Sequence, residues 1–258
     1  MKSLSEVTTS DLLTYLAGQR QRGWSDSSLK LAVNALRSLF SYVAGTSSPA
    51  GDVPVPRPRP KLQRTLSAQQ ALAVIASCDT STLRGARDLA LLCLMFDTGL
   101  RSIEVCRLQL QHLNLAERWL QARVKGGKIR SKVFTTYTAL QVSRWLSVRG
   151  EAARSDVMTV FVSIGGTMPG SPLTPNGMRC IFRVIGRATG LDKFSPHDTR
   201  RTFATLTIRF GASSRMVQEQ GGWENLEELE RYTQALQLQD VEPYLPIGRL
   251  EVRVLCGS

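Results

Sequence analysis

The apolar positions of this chain fall first at helical spacing. Leu12, Leu13 and Leu16 predict one helix opened by Thr9 or Ser10, and Leu29, Val33, Leu36, Phe40 and Val43 predict a second. The second is opened by Ser25 or Asp26 and stopped by Gly45. Periodicity then lapses. Gly45 to Gly51 is small and polar, and Pro54, Pro56, Pro58 and Pro60 alternate with Arg57, Arg59, Lys61 and Arg64. Alternating proline favours an extended polyproline backbone rising about 3.1 Å per residue, so residues 46–64 are predicted to be a linker of roughly 40 to 50 Å.

Helical spacing resumes after the linker. Ser67 is expected to cap a helix reaching about Cys78, and Leu83 to Phe96 a mostly apolar helix closing at Thr98-Gly99. Trp119 to Val124 and Ile129 to Phe134 read as two strands joined by the turn Lys125-Gly126-Gly127-Lys128, where glycine supplies positive φ. A helix over Ala139 to Val148 and a strand over Val157 to Ile164 follow. Thr174-Pro175 opens the next helix, with proline at its first position, and Thr189-Gly190 ends it. Asp198 to Phe210, Ser214 to Gln220 and about Leu226 to Leu238 read as helices. Leu250 to Leu255 reads as a short strand without a local partner. The pattern predicts a mainly α fold with a small antiparallel β-sheet (α+β), divided into a helical segment 1–45, the linker, a large domain 65–240 and a tail 241–258.

Composition narrows the class. A hydrophobic content of 42% supports a proper core, while a formal charge of +12 implies a polyanionic partner. Nucleic acid is the first choice, and the unrelieved arginines of the linker, Arg57, Arg59, Lys61 and Arg64, are candidates to track phosphates. The rival reading, a basic membrane-surface protein, lacks a long amphipathic helix with a cationic face and a lipidation motif. The N-terminus shows no signal-peptide core, and the longest apolar run, Leu89 to Phe96, is too short to cross a bilayer. A cytoplasmic location is expected. The five cysteines are scattered without metal-ligand spacing, which predicts a reducing compartment, no zinc, and packing as small hydrophobes for all but Cys256.

The candidate chemistry lies late in the chain. His197-Asp198-Thr199-Arg200 precedes Gly221-Gly222-Trp223, and Tyr232 stands in Glu-Arg-Tyr-Thr; Arg101 and Lys125 lie upstream. Cationic and N–H donors are what a site needs to hold a phosphodiester as its charge grows, and a phenol can attack it. Forming a phenolate from a group of pKa ≈ 10 costs about 4 kcal/mol at pH 7, which cationic neighbours can offset. Arginine suits the phosphate oxygens because its planar fork donates in parallel and stays charged. Taken singly each residue has a bland reading: Tyr232 and Trp223 as packing residues, His197 and Arg200 as a surface pair, Lys125 as a turn lysine, Arg101 as a cap. Their joint presence at helix starts and a hairpin turn favours the functional one.

In these residues the chain resembles the tyrosine recombinase (phage integrase) family. Thr98-Gly99-Leu100-Arg101-Ser102-Ile103-Glu104 looks like the family's first-arginine box, and Val124-Lys125-Gly126-Gly127-Lys128 its hairpin lysine. His197 to Thr205 is similar to its His-x-x-Arg helix, and Gly221-Gly222-Trp223 with Glu230-Arg231-Tyr232-Thr233 to its closing boxes. The resemblance implies that Tyr232 attacks a DNA phosphate, forms a 3′-phosphotyrosyl bond and frees a 5′-hydroxyl, with no metal or other cofactor. It implies that Arg101 and Arg200 stabilise the growing charge, Lys125 protonates the leaving oxygen, and His197 binds the phosphate and assists proton transfer. Trp223, where many relatives have histidine, can donate from its indole N–H but cannot act as acid or base. Glu104 would orient site residues, and Lys128 and Arg201 join the linker cations as DNA contacts.

The implied partner is double-stranded DNA, bound by a homotetramer on paired sites and a monomer when free, with the tail exchanged between protomers. Three features depart from the family pattern. Glu219-Gln220 replaces an apolar pair, Thr199 stands where leucine is common, and the segment before the linker is short, a reduced DNA-binding domain or a trimmed one. Two alternatives stay open: a catalytically silent architectural or regulatory DNA-binding protein of the same fold, and a type IB topoisomerase or telomere resolvase using the same chemistry.

Overall fold

The computed structural model describes residues 3–44, 48–57, 64–123 and 127–233, except the side chains of 228 and 231–233. The chain divides into two compact units, Met1–Lys61 and Leu62–Ser258.

In the first unit, helices α1 (Thr9–Gln21) and α2 (Asp26–Ala44) close a small core of Leu12, Val33 and Phe40. Thr8 caps α1 by accepting from the Asp11 amide. Two helices alone cover little apolar surface, and the start of the proline-rich stretch completes the core: Ala50 and Val53 are buried in the same cluster. Thr9 Oγ1 donates to the Pro49 carbonyl at 2.8 Å, and Arg37 donates to the carbonyls of Ala50, Gly51 and Val53 at 2.9 to 3.2 Å. Residues 49–53, which the proline pattern assigned to an extended spacer, are therefore folded back on α1 and α2. Their carbonyls gain a guanidinium donor there.

The second unit is built around α4 (Leu83–Thr98), in which Leu89 to Met95 are all buried. Before it comes α3 (Ala68–Ala76), capped by Ser67 as the sequence predicts. After it come α5 (Ser102–Cys106), the antiparallel sheet β1 (Leu113–Asn114), β2 (Trp119–Arg123) and β3 (Ile129–Val133), and α6 (Thr136–Val148). The predicted hairpin has the register Trp119↔Val133 and Arg123↔Ile129; β1 is a short addition to it. Four helices follow: α7 (Pro175–Ala188), α8 (Pro196–Arg209), α9 (Ser214–Gly221) and α10 (Leu226–Thr233). Phe203, Ala204, Val217, Trp223 and Leu229 tie the last three into one cluster.

One predicted element is corrected. Residues 157–164 do not form a strand; they make only isolated bridges, Gln109↔Thr159 and Val162↔Pro172. Backbone amides take the carbonyls of Met158, Phe161 and Ser163, and side chains take others. Arg149 donates to Val157 O at 2.7 Å and Thr159 O at 2.6 Å, Trp145 Nε1 to Val160 O at 2.9 Å, and Arg87 to Val162 O at 3.3 Å. An apolar run reads the same whether its polar groups meet a neighbouring strand or buried guanidiniums. The cysteines also differ from expectation at one position, since Cys180 on α7 is exposed. Burial pushes the thiols of Cys93 and Cys106 up to about 12, so both stay neutral. The predicted strand 250–255 and the end of the last predicted helix lie outside the described residues. Among the described residues, no helix is long and apolar enough to cross a membrane.

Candidate active site

Arg101 stands at the start of α5, two residues after a forced turn. Gly99 closes α4 in the left-handed region at φ 59°, and an added Cβ would sit 2.9 Å from Phe203 Cε1 and nearer still to Cδ1. Glycine is needed there for both reasons. The Arg101 amide donates to Glu104 Oε2 at 2.8 Å and its guanidinium to Oε1 at 3.0 Å. The Glu104 side chain is 3% exposed and that of Arg101 32%. A buried carboxylate thus fixes both ends of a half-exposed arginine, leaving the outer face of the guanidinium to solvent.

Arg200, on the second turn of α8, is 1% exposed. Its Nη1 donates to the carbonyls of Gly99 and Gly221, the latter at 2.8 Å. These carbonyls belong to the C-terminal ends of α4 and α9, where the helix dipole favours a cation. Arg200 Cζ lies 4.0 Å over the Trp223 ring, and that ring stacks on Phe203 at 6.2 Å between centroids. Gly222 turns the chain at φ 69° after α9, and the Trp223 ring lies so close over Gly221 that no side chain fits beneath it. The Gly-Gly-Trp signal therefore has a mechanical basis, a left-handed cap followed by a plate laid on the arginine.

His197 is exposed on the first turn of α8. Partial desolvation, then the guanidiniums of Arg201, Arg200 and Arg101, hold its imidazole below the usual 6.5, with Asp198 opposing them. Asp198 is buried at the helix start, accepts from the Ser195 amide at 2.9 Å, and pairs with Arg201 at 3.2 Å and Arg64 at 2.7 Å. Arg64 also donates to the Asp192 carbonyl. Both arginines are thus engaged by α8 and the loop before it. Arg57 and Lys128 are exposed; Arg59, Lys61 and Lys125 lie outside the described residues. Tyr232 is placed in the backbone of α10, without a described side chain.

Of the six residues assigned to catalysis, the structure lays Trp223 on the Arg200 guanidinium and ties Arg200 to Gly99 O, two residues before Arg101. It also shows a residue that pattern reading passed over. Lys132 on β3 is 1% exposed, and its Nζ donates to the carbonyls of Gln220 and Thr98, the latter at 3.4 Å. A signal was available, because Lys132 pairs with Leu120 on a face whose β2 residues Leu120 and Ala122 are buried. The unusual pair Glu219-Gln220 also has a role. Glu219 pairs with Arg130 at 2.8 Å, and the Gln220 amide accepts from Val133 N and donates to Val133 O and Asp97 O, joining α9 to β3 and α4.

Comparison with known proteins bears on the family and the fold. Residues 64–238 match the phage integrase family. Tyrosine recombinase XerC of Pseudomonas aeruginosa (strain LESB58) is 31% identical over 231 residues, 88% of this chain and 75% of the relative. Tyrosine recombinase XerD of Listeria monocytogenes (strain EGD-e) is 30% identical over 251 residues, 93% and 84% of the two chains. In fold, the chain is similar to the XerH site-specific recombinase bound to palindromic difH substrate, with a TM-score of 0.76 at 23% identity, covering 94% of this chain and 73% of that one. It is also similar to a lambda integrase dimer bound to a core site, with a TM-score of 0.69 at 17% identity, covering 89% and 65%. The chain belongs to the phage integrase family and is a site-specific tyrosine recombinase.

Proposed function

We propose that Tyr232 is the nucleophile of this recombinase and that Arg101 and Arg200 hold the non-bridging oxygens of the phosphate it attacks. The observation that carries this is the way the arginines are fixed. Arg200 is buried against two helix C-termini and Arg101 is locked by a buried carboxylate, so both are oriented before any substrate arrives. Preorganised donors of this kind are each worth about 3 to 4 kcal/mol of transition-state stabilisation. The Trp223 indole donates to the same phosphate, His197 binds it and assists transfer of the phenol proton, and Lys125 protonates the leaving 5′-oxygen. The phosphotyrosyl ester keeps the energy of the broken bond, and a second 5′-hydroxyl reverses the step, so the balance of the reaction calls for no cofactor.

The partner is double-stranded DNA in the cytoplasm, as the XerH and lambda structures have DNA for theirs. Four copies act on paired sites, the first unit and the linker cations contact the duplex, and the tail 241–258 passes to a neighbour. A pool of nicked random-sequence duplexes tests the chemistry. The full chain should form a denaturation-resistant adduct that Tyr232→Phe abolishes. An undiminished adduct in that variant, or none from the parent across the pool, would sink the assignment.

A further inference from the structure

Two cations join the ends of α4 and α9. Arg200 donates to the carbonyls of Gly99 and Gly221, and Lys132 to those of Thr98 and Gln220. The acceptors are consecutive residues on each side, where α4 and α9 end and their carbonyls lack helical partners. Packing alone gives no reason for an ammonium here. Lys132 faces inward opposite a fully buried Leu120, where methionine would fill the space without the cost of burying a charge.

We propose that Lys132 is a positioning residue of the recombinase site: its ammonium ties the end of α4, which leads into Arg101, to the end of α9, which leads into Trp223, and so holds Arg101, Arg200 and Trp223 in register for one phosphate. The inference rests on the phosphate-binding role proposed for those residues. Besides the neutral Gln220 amide on Asp97 O, Arg200 alone would leave one charged attachment between the two helix ends. The second cation stops them from pivoting about it.

The surroundings make this tie sensitive to protonation. Burial first, then Arg200, Arg101 and Arg130, lower the Lys132 pKa to about 7, against the pull of Glu104. Of the acids on the packed elements, Glu219 of α9 is paired with Arg130 and Asp97 of α4 accepts from Thr135. A phosphodiester held between the arginines would offset their repulsion and keep the proton on Lys132, tightening the site as DNA enters.

The test uses the full chain and the nicked duplex pool from pH 6 to 9. Lys132→Met should bind the pool within about twofold of the parent yet form adduct about a hundredfold more slowly at pH 6.5, as expected for misplaced donors. Its residual rate should lack the decline above neutral pH that the parent shows as Lys132 loses its proton, and Lys132→Arg should recover part of the loss. A Met variant as fast as the parent, or slower by a constant factor at every pH, overturns the proposal. Should that variant fail to fold, NMR of the parent labelled with 13C at lysine Cε decides. Lys132 should titrate near 7, well below the ordinary lysine value, and shift upward with duplex bound; an ordinary midpoint unmoved by duplex overturns the proposal. Absence of adduct from the parent itself would instead fail the reading of function, and the NMR result would still stand alone.

Discussion

Gly221→Ala puts one methyl group under the plate that covers Arg200. Gly221 does not need a left-handed backbone, so alanine is acceptable to the helix, where it would ordinarily gain about 1 kcal/mol over glycine. Space is the obstacle. The new Cβ would lie 2.6 Å from Trp223 Cη2 and closer still to Cε3 and Cζ3. Carbon atoms prefer about 3.5 to 4.0 Å, so the ring must retreat by about 1 Å or more. It cannot simply swing out, because Trp223 is 4% exposed, stacked on Phe203 and lying over Arg200. Overpacking of this kind costs about 1 to 3 kcal/mol. A displacement of about 1 Å of a donor at the site costs about a hundredfold in rate. Urea unfolding should show the stability loss and adduct formation on the nicked pool the rate loss, while DNA retention changes little. Trp223→His in the same chain, with its smaller ring, should relieve part of both losses, so that the double variant is less impaired than the sum of the singles. If Gly221→Ala is as stable and as fast as the parent, the contact between Gly221, Trp223 and Arg200 does not position the site.

Glu104→Ala frees Arg101 at both its amide and its guanidinium; the adduct rate should fall at least about tenfold with duplex affinity nearly unchanged, and an unchanged rate would show that Arg101 needs no anchor. Gln220→Ala removes the side chain that serves Val133 N, Val133 O and Asp97 O, and should cost roughly 1 to 3 kcal/mol in urea unfolding. The depressed His197 and Lys132 both release protons from the folded chain before the unfolded one. Their contribution to stability is therefore present above the unfolded values and is lost as pH falls through the folded ones, a window from ordinary lysine values down to about 7 for Lys132. Unfolding free energy of the parent should rise with pH above 7, and Lys132→Met should flatten that rise.

Much of the fold could be read locally. The caps Ser67 and Thr174, the stop at Thr98-Gly99 and the alternation across the hairpin are short-range signals whose physics acts within a few residues, although α1 is capped by Thr8 and not by the expected Thr9 or Ser10. The order of the arginine, histidine, tryptophan and tyrosine boxes was equally legible, because it depends only on residue identity and spacing along the chain. What misled was chemistry supplied from a distance. Arg149 and Arg87 take the carbonyls of Val157, Thr159, Val160 and Val162, so an apolar run that reads as a strand is held without a continuous ladder. Arg37 draws residues 50–53 onto the first two helices, so part of a proline-rich stretch becomes core.

By itself, then, the amino-acid sequence determined the family, the mostly helical elements and the chemical types needed to hold and attack a phosphodiester, since those depend on residue identity and local spacing. Only the tertiary structure decided how the cations are used. Arg64 and Arg201 are paired with Asp198. Arg200 is sealed beneath Trp223, and Lys132, unremarkable in a polar strand, is buried as a second tie between two helix ends. Charge along a chain is visible in the sequence, but what each charge faces depends on packing between segments about a hundred residues apart.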